Sequence, residues 1–199
     1  MPWYCLNTYT NEEGRVRIIA GSKKGCAIAA PKGMDTRPTL DRVKESLFGI
    51  LQFTIPGTRV LDLFAGSGNL GLEALSRGAA FASFCDASRS AVRIVEANIQ
   101  KLGFQDRAKV YACSFEAAIC ALARAGETVD LVFLDPPYAS GLLEKGLFTL
   151  QKSGILACGA ILVAEHGPKL PPELPTGFLA YDSRRYGEVA LSFIREERP

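Results

Sequence analysis

One histidine, His166, no Cys-x-x-Cys pair among six cysteines, and no apolar run of membrane-spanning length mark the 199-residue chain. A lone histidine and unpaired cysteines cannot complete a zinc site of familiar spacing, so no metal is expected. Cys5, Cys26, Cys85, Cys113, Cys120 and Cys158 are expected as small buried thiols. No basic-then-apolar leader opens the sequence, and with no membrane span the expected setting is a reducing cytoplasm. No internal repeat or low-complexity stretch occurs. The net charge of +2 does not by itself announce a polyanion binder. What is present is ordinary globular composition, 48% hydrophobic and 22% charged.

The charge is unevenly placed. Residues 15–44 hold eight basic side chains (among them Arg17, Lys23, Lys24, Arg37, Arg42 and Lys44) against Asp35 and Asp41. A basic end on a mildly acidic body suggests one anion-facing surface. Residues 15–20 alternate polar and apolar, 21–25 read as a turn and 26–30 as a returning strand, giving a small basic hairpin. It is either a solvated surface feature or a grip on phosphates. Thr39 can cap a helix whose stripe is Leu40, Val43, Leu47, Phe48 and Leu51. Pro56-Gly57 then breaks the chain, so residues 1–56 are expected as an appendage and 57–199 as the main domain.

From Thr58 strand-like and helix-like segments alternate, among them a strand over 81–85, a helix capped by Ser88 and ended by Gly103, and a helix over 115–124, which predicts a mostly parallel α/β sheet covered on both faces. Between the first strand and first helix lies Phe64-Ala65-Gly66-Ser67-Gly68-Asn69-Leu70-Gly71, and Asp86 ends the next strand. Glycines at 66, 68 and 71 satisfy G-x-G-x-x-G, which admits a nicotinamide dinucleotide or any other adenosine cofactor. Asp62 separates the two. A carboxylate four residues before Gly66 repels a pyrophosphate but suits the ammonium and sulfonium of S-adenosylmethionine. The fourth strand, 129–134, runs into Asp135, Pro136, Pro137 and Tyr138. A carboxylate and a prolyl carbonyl can accept both hydrogens of a planar amine while an aromatic ring stacks on its base. A turn-capping acid and a core tyrosine are the plain alternative. His166 has nothing to orient it as a base. Arg184, Arg185 and Tyr186, at the tip of a final hairpin, either touch RNA or face water.

Asp62 to Gly68 and Asp135 to Tyr138 look like the cofactor and catalytic motifs of class I methyltransferases acting on amino groups. Together with 17–21, Arg37-Pro38-Thr39-Leu40-Asp41-Arg42-Val43-Lys44-Glu45-Ser46-Leu47-Phe48 and 68–78, the chain resembles the RsmD-type 16S ribosomal RNA guanine-N2 methyltransferases. The resemblance implies a Rossmann-like, seven-stranded sheet with an antiparallel last strand, preceded by a hairpin and helix. It implies S-adenosylmethionine held by Asp62, Phe64, Ala65, Gly66, Ser67, Gly68 and Asp86. Catalysis falls to Asp135, Pro136, Pro137 and Tyr138, and RNA contact to Arg17, Lys23, Lys24, Arg37, Arg42 and Lys44. The partner is small-subunit ribosomal RNA, free or in a particle, met by a cytoplasmic monomer. One departure stands out. Relatives often place Asp or Asn after the third strand to read adenine, whereas this chain has Ala112-Cys113-Ser114. Backbone groups at Cys113 and Ser114 are expected to serve instead. A DNA adenine-N6 methyltransferase shares the catalytic tetrapeptide, a dehydrogenase the glycine loop, and a non-enzymatic RNA-binding module the basic hairpin.

Overall fold

Strands β1 (Arg59–Asp62), β2 (Phe81–Cys85), β3 (Ala108–Tyr111), β4 (Val129–Leu134), β5 (Leu156–His166), β6 (Phe178–Tyr186) and β7 (Val189–Glu196) form one sheet. Their order is β3-β2-β1-β4-β5-β7-β6. The structure is a computed structural model that describes residues 16–31, 38–137 and 141–197. Strands β1 to β5 pair in parallel, and β7 runs antiparallel between β5 and β6. The mostly parallel sheet with an antiparallel last strand is therefore as expected. The sequence pattern did not disclose that β7 inserts inside β6.

Among the described residues, five α-helices connect and cover the strands: α1 (Pro38–Ile50), α2 (Asn69–Ser76), α3 (Arg89–Leu102), α4 (Phe115–Arg124) and α5 (Leu142–Ser153). The α1 helix includes Pro38 and Thr39 rather than starting after a Thr39 cap, consistent with proline's fitness for a first turn. Ser88 caps α3 by accepting from the Ala91 amide, and Gly103 ends it with φ 69°. One sheet face packs Val60, Leu131, Phe133, Val163 and Phe193 against α1, α2, α3, Ile18 and Ile28. The other packs Leu61, Val132, Leu134, Leu162 and Ile194 against α4 and α5.

Residues 16–31 make a minimal hairpin, with one antiparallel bridge from Arg17 to Ala27. It is not a detached appendage. Ile18, Ile28, Val43, Leu47 and Phe48 share one apolar core with Val60, Leu72 and Phe84, so the border expected at residue 57 divides no core. The cause lies in α2, whose residues Gly71–Ser76 are all buried. A helix buried all round needs a second cover beyond the sheet, and the N-terminal segment supplies it. Gly21, at φ +83°, lies so close to α2 that a Cβ would sit 1.9 Å from the Ser76 carbonyl oxygen. Only glycine fits there.

Glu73 is the joint. Fully buried on α2, it accepts the Ile19 amide at 2.7 Å, the Ala20 amide at 3.0 Å and Arg77 Nε at 2.7 Å. Lys44 Nζ of α1 completes the set at 3.2 Å. Lys44 is itself buried and also donates to the Arg17 carbonyl and to Asn69 Oδ1. Burial lowers the Lys44 pKa even though Glu73 pulls it up. Removing one member of such a pair leaves an uncompensated charge in the core. Glu73→Ala should therefore cost about 3–5 kcal/mol, seen as an early urea midpoint, with N-terminal amide protons exchanging faster than those of β4.

Candidate active site

Strand order reverses between β1 and β4, and in open α/β sheets ligands lie outside the carboxyl ends of the strands at such a point. The candidate residues gather there. Asp62 ends β1, 2% exposed, and one carboxylate oxygen accepts the Gly71 amide of α2 at 3.0 Å. Burial raises its pKa to about 7; the Gly71 hydrogen bond opposes the rise and the charge of Asp86 adds to it. A carboxyl held near neutrality in this way gains most from a cation placed beside it.

The loop after β1 is shaped by its glycines. Gly66 (φ 54°) and Gly68 (φ 77°) take left-handed conformations, and Gly68 starts α2. Gly71 serves packing: a Cβ there would fall 2.4 Å from the Phe84 ring. The Ala65 amide donates to the Cys85 carbonyl at 2.9 Å, and the half-buried Phe64 ring leans on Phe115 with centroids 5.6 Å apart. Ser67 is buried, and its carbonyl accepts from Asn98 Nδ2 at 2.9 Å. Beyond β2, Asp86 accepts the Gly66 amide at 2.9 Å with one oxygen and the Ser88 amide at 2.8 Å with the other. It clamps the loop, and each oxygen keeps a further lone pair for a ribose hydroxyl.

At the end of β3, the Cys113 carbonyl accepts from the buried Cys85 thiol at 3.5 Å, and Ser114 caps α4 through the Ala117 amide. Burial pushes the Cys85 thiol up to about 12. The expectation of buried thiols fails at Cys120 and Cys158, which are exposed; Cys5 lies outside the described residues.

Asp135 follows β4 directly, with Pro136 buried and Pro137 exposed; Tyr138 lies outside the described residues. Asp135 reaches solvent, but protein surrounds it on most sides. Desolvation raises its pKa well above the usual carboxylate value, and the charges of Glu165 and Asp62 raise it further. His166 is excluded from the chemistry. It is buried, with Nδ1 at 2.9 Å from the Gly167 carbonyl and Nε2 at 2.8 Å from Ser192 Oγ.

The basic residues are not brought together. Lys44 does not face RNA: its ammonium is consumed in the core by Glu73, Asn69 and the Arg17 carbonyl. Arg42 is exposed near the start of α1, and exposed Arg17 pairs with Asp41 at 3.4 Å. Arg37 lies outside the described residues. Lys23 and Lys24 occupy a turn at the far ends of α2 and α3, where the Ser22 amide donates to the Ser76 carbonyl and Lys23 Nζ approaches the Phe104 ring. The 14-residue α3 alone spans about 20 Å, so that turn sits on the sheet edge opposite Asp135.

Several residues of consequence escaped the sequence reading. Asn98 falls on the apolar stripe of α3, Glu73 interrupts an apolar run, and Glu165 puts an acid at the tip of β5 as Asp62 and Asp86 do near β1 and β2. A polar residue in an apolar register was the available signal. The Asp62 carboxyl yields a test. With its folded pKa raised from 3.8 to about 7, the folded protein binds the extra proton, so this group's stabilisation is present at low pH and lost as pH rises through that window. Melting curves from pH 4 to 8 should show wild type losing stability relative to Asp62→Asn; parallel profiles would mean Asp62 does not titrate there.

The chain matches, over residues 16–195, the family described as conserved hypothetical protein 95. YlbH of Bacillus subtilis is 41% identical over 182 residues, covering 91% of this chain and 99% of that protein. Ribosomal RNA small subunit methyltransferase D of Escherichia coli is 36% identical over 185 residues, covering 92% and 91%. The solved structure of yhhF from Escherichia coli superposes with a TM-score of 0.80 at 31% identity, covering 92% of this chain and 99% of that one. Fold, strand order and sequence agree: the chain belongs to the RsmD-type methyltransferase family.

Proposed function

We propose that the protein transfers a methyl group from S-adenosylmethionine to the exocyclic N2 amine of a guanine in small-subunit ribosomal RNA. The observation that carries this reading is the placement of Asp135-Pro136-Pro137 at the tip of β4, beside the Asp62 carboxyl and glycine loop at the tip of β1. The name of the Escherichia coli relative supports ribosomal RNA as the acceptor.

The residues fit the donor. Asp62 is a buried carboxyl whose raised pKa suits an ammonium neighbour, and the left-handed Gly66 and Gly68 put no side chain at two positions of the loop. Asp86 can accept from ribose hydroxyls, and to the backbone at Cys113 and Ser114, between β3 and α4, we assign the adenine. S-Adenosylmethionine, when bound, supplies a methyl group on a sulfonium, an activated leaving position. The work left to the protein is aiming the acceptor. Asp135 accepts one amine hydrogen and the Pro136 carbonyl the other, so the nitrogen pyramidalises with its lone pair toward the methyl carbon. The new N–C bond takes that lone pair, the S–C bond electrons stay on sulfur, and the methylated nitrogen loses one proton to solvent. Two consecutive prolines hold the carbonyl. Tyr138 stacks on the base, and a paired target is first extruded.

Labelled methyl transfer to small subunits, naked ribosomal RNA and DNA, followed by mapping of the product nucleotide, tests the reading. N2-methylguanine in small-subunit RNA is expected; N6-methyladenine in DNA would replace it with the adenine alternative. Asp135→Ala should lower kcat by about 100-fold or more, with S-adenosylhomocysteine affinity unchanged by calorimetry. For RNA binding we retain Arg17, Arg37, Arg42, Lys23 and Lys24. An RNA reaching both Arg42 and Lys24 must run along the N-terminal segment from one sheet edge to the other. Each of Arg42→Ala and Lys24→Ala should then reduce the slope of log K against log salt by about 0.7–0.9. An unchanged slope for Lys24→Ala would confine the footprint to the catalytic edge.

A further inference from the structure

Asp135 has a neighbour that the catalytic tetrapeptide does not include. Strands β4 and β5 pair in parallel with Leu134 beside Ala164, so the next residues in register are Asp135 and Glu165. Side chains alternate across a sheet. Leu134 and Ala164 belong to the core under α4 and α5, whereas Phe133 and Val163 belong to the core under α1 and α2. Asp135 and Glu165 therefore project from the α1–α2 face, the face from which Asp62 reaches the Gly71 amide. Neighbouring strands lie about 4.8 Å apart, which puts the two acids side by side, and the Glu165 charge adds to the burial that raises the Asp135 pKa. On the other side of Glu165 stands Leu191 of β7, buried and apolar. His166, one residue on, turns to the opposite face and bonds Ser192. On the described strands, the ionisable group that register sets directly beside Glu165 on its own face is Asp135; Arg184 of β6 follows beyond Leu191 and pairs with Asp182.

On the Watson–Crick edge of guanine the N2 amine is flanked by a second donor, N1–H. Adenine offers a lone pair at N1 beside its amine instead. A carboxylate next to the amine holder accepts the first and repels the second. We infer that Glu165 is a specificity-determining residue that accepts the N1–H of the target guanine while Asp135 and the Pro136 carbonyl hold its N2 amine. The inference rests on the guanine-N2 reading above and deepens it. Asp135 becomes free to act on the transferred-to nitrogen alone, and adenine is rejected by charge rather than by pocket shape. Burial and the neighbouring Glu165 charge raise the Asp135 pKa, as two carboxylates set side by side require.

The test uses full-length protein and small subunits reconstituted with RNA carrying either guanine or 2-aminopurine at the mapped position. 2-Aminopurine keeps the N2 amine and lacks N1–H. The readout is the ratio of kcat/KM for the two substrates within each variant, which cancels general losses of folding or cofactor affinity. Wild type should favour guanine by about 10- to 100-fold, the range expected for one hydrogen bond to a charged group. Glu165→Ala should shrink the ratio at least several-fold by losing rate on guanine, and Glu165→Gln, which keeps an acceptor, should fall between. A wild-type ratio in Glu165→Ala overturns the inference and leaves Asp135 reading the whole edge. If Glu165→Ala is inactive, a wild-type ratio in Glu165→Gln and in Glu165→Asp overturns it equally. Absence of guanine methylation by wild type would overturn the proposed function itself, an outcome distinct from these.

Discussion

A carboxylate with no water around it must find donors within the protein, and Glu73 finds four: two backbone amides, an ammonium and a guanidinium. Each comes from a different piece of the chain or a different kind of group. The amides belong to the N-terminal segment, Lys44 to α1 and Arg77 to the end of α2. Because the same helix also offers its Gly71 amide to Asp62, the position of the binding loop inherits the order of that junction. Removing the cover from α2 would expose a buried ion pair, not merely apolar surface. The N-terminal residues thus belong to the catalytic body by electrostatics as much as by packing.

The acids along the carboxyl edge show how environment divides one chemical group into several. Asp62, enclosed and met by a single amide, sits near neutrality. Asp86 accepts one amide from the glycine loop and one from its own, and so clamps the two together. Asp135 reaches solvent but is largely enclosed, and burial and the charges of Glu165 and Asp62 raise its pKa. These carboxyls follow from one rule of the fold, that strand ends along this edge carry functional groups. Their separate tasks follow from how much water each retains.

Much of this was legible in the sequence. Residues 81–85, 115–124 and 129–134 had their bounds in apolar runs flanked by Asp86, Ser114 and Asp135, and the glycine loop announced the first crossover. Ser88 and Gly103 marked both ends of α3 because capping is local chemistry. What was hidden depended on partners far along the chain. Lys44 reads as one more surface cation until Glu73 is placed beside it, 29 residues later in sequence. The basic hairpin reads as a solvated surface feature or a grip on phosphates, and nothing in its sequence discloses that Ser76 draws its turn to the edge opposite Asp135. Nor does any short-range pattern disclose that β7 enters between β5 and β6, since a hairpin looks the same whichever arm meets the sheet.

The hydrogen bond from the Ile19 amide to Glu73 spans 54 residues, and that from Ala29 to Asn98 spans 69. Synthesis proceeds from the amino end, so residues 16–31 leave the ribosome well before either partner exists. Until α2 and α3 have emerged and settled on the sheet, Ile18 and Ile28 have no core to enter. Long-range closure of this kind is slow to nucleate. Residues 16–31 are made before the helices that hold them and are therefore among the latest to lock, so nascent protein exposes an apolar, cationic segment until α2 and α3 are in place.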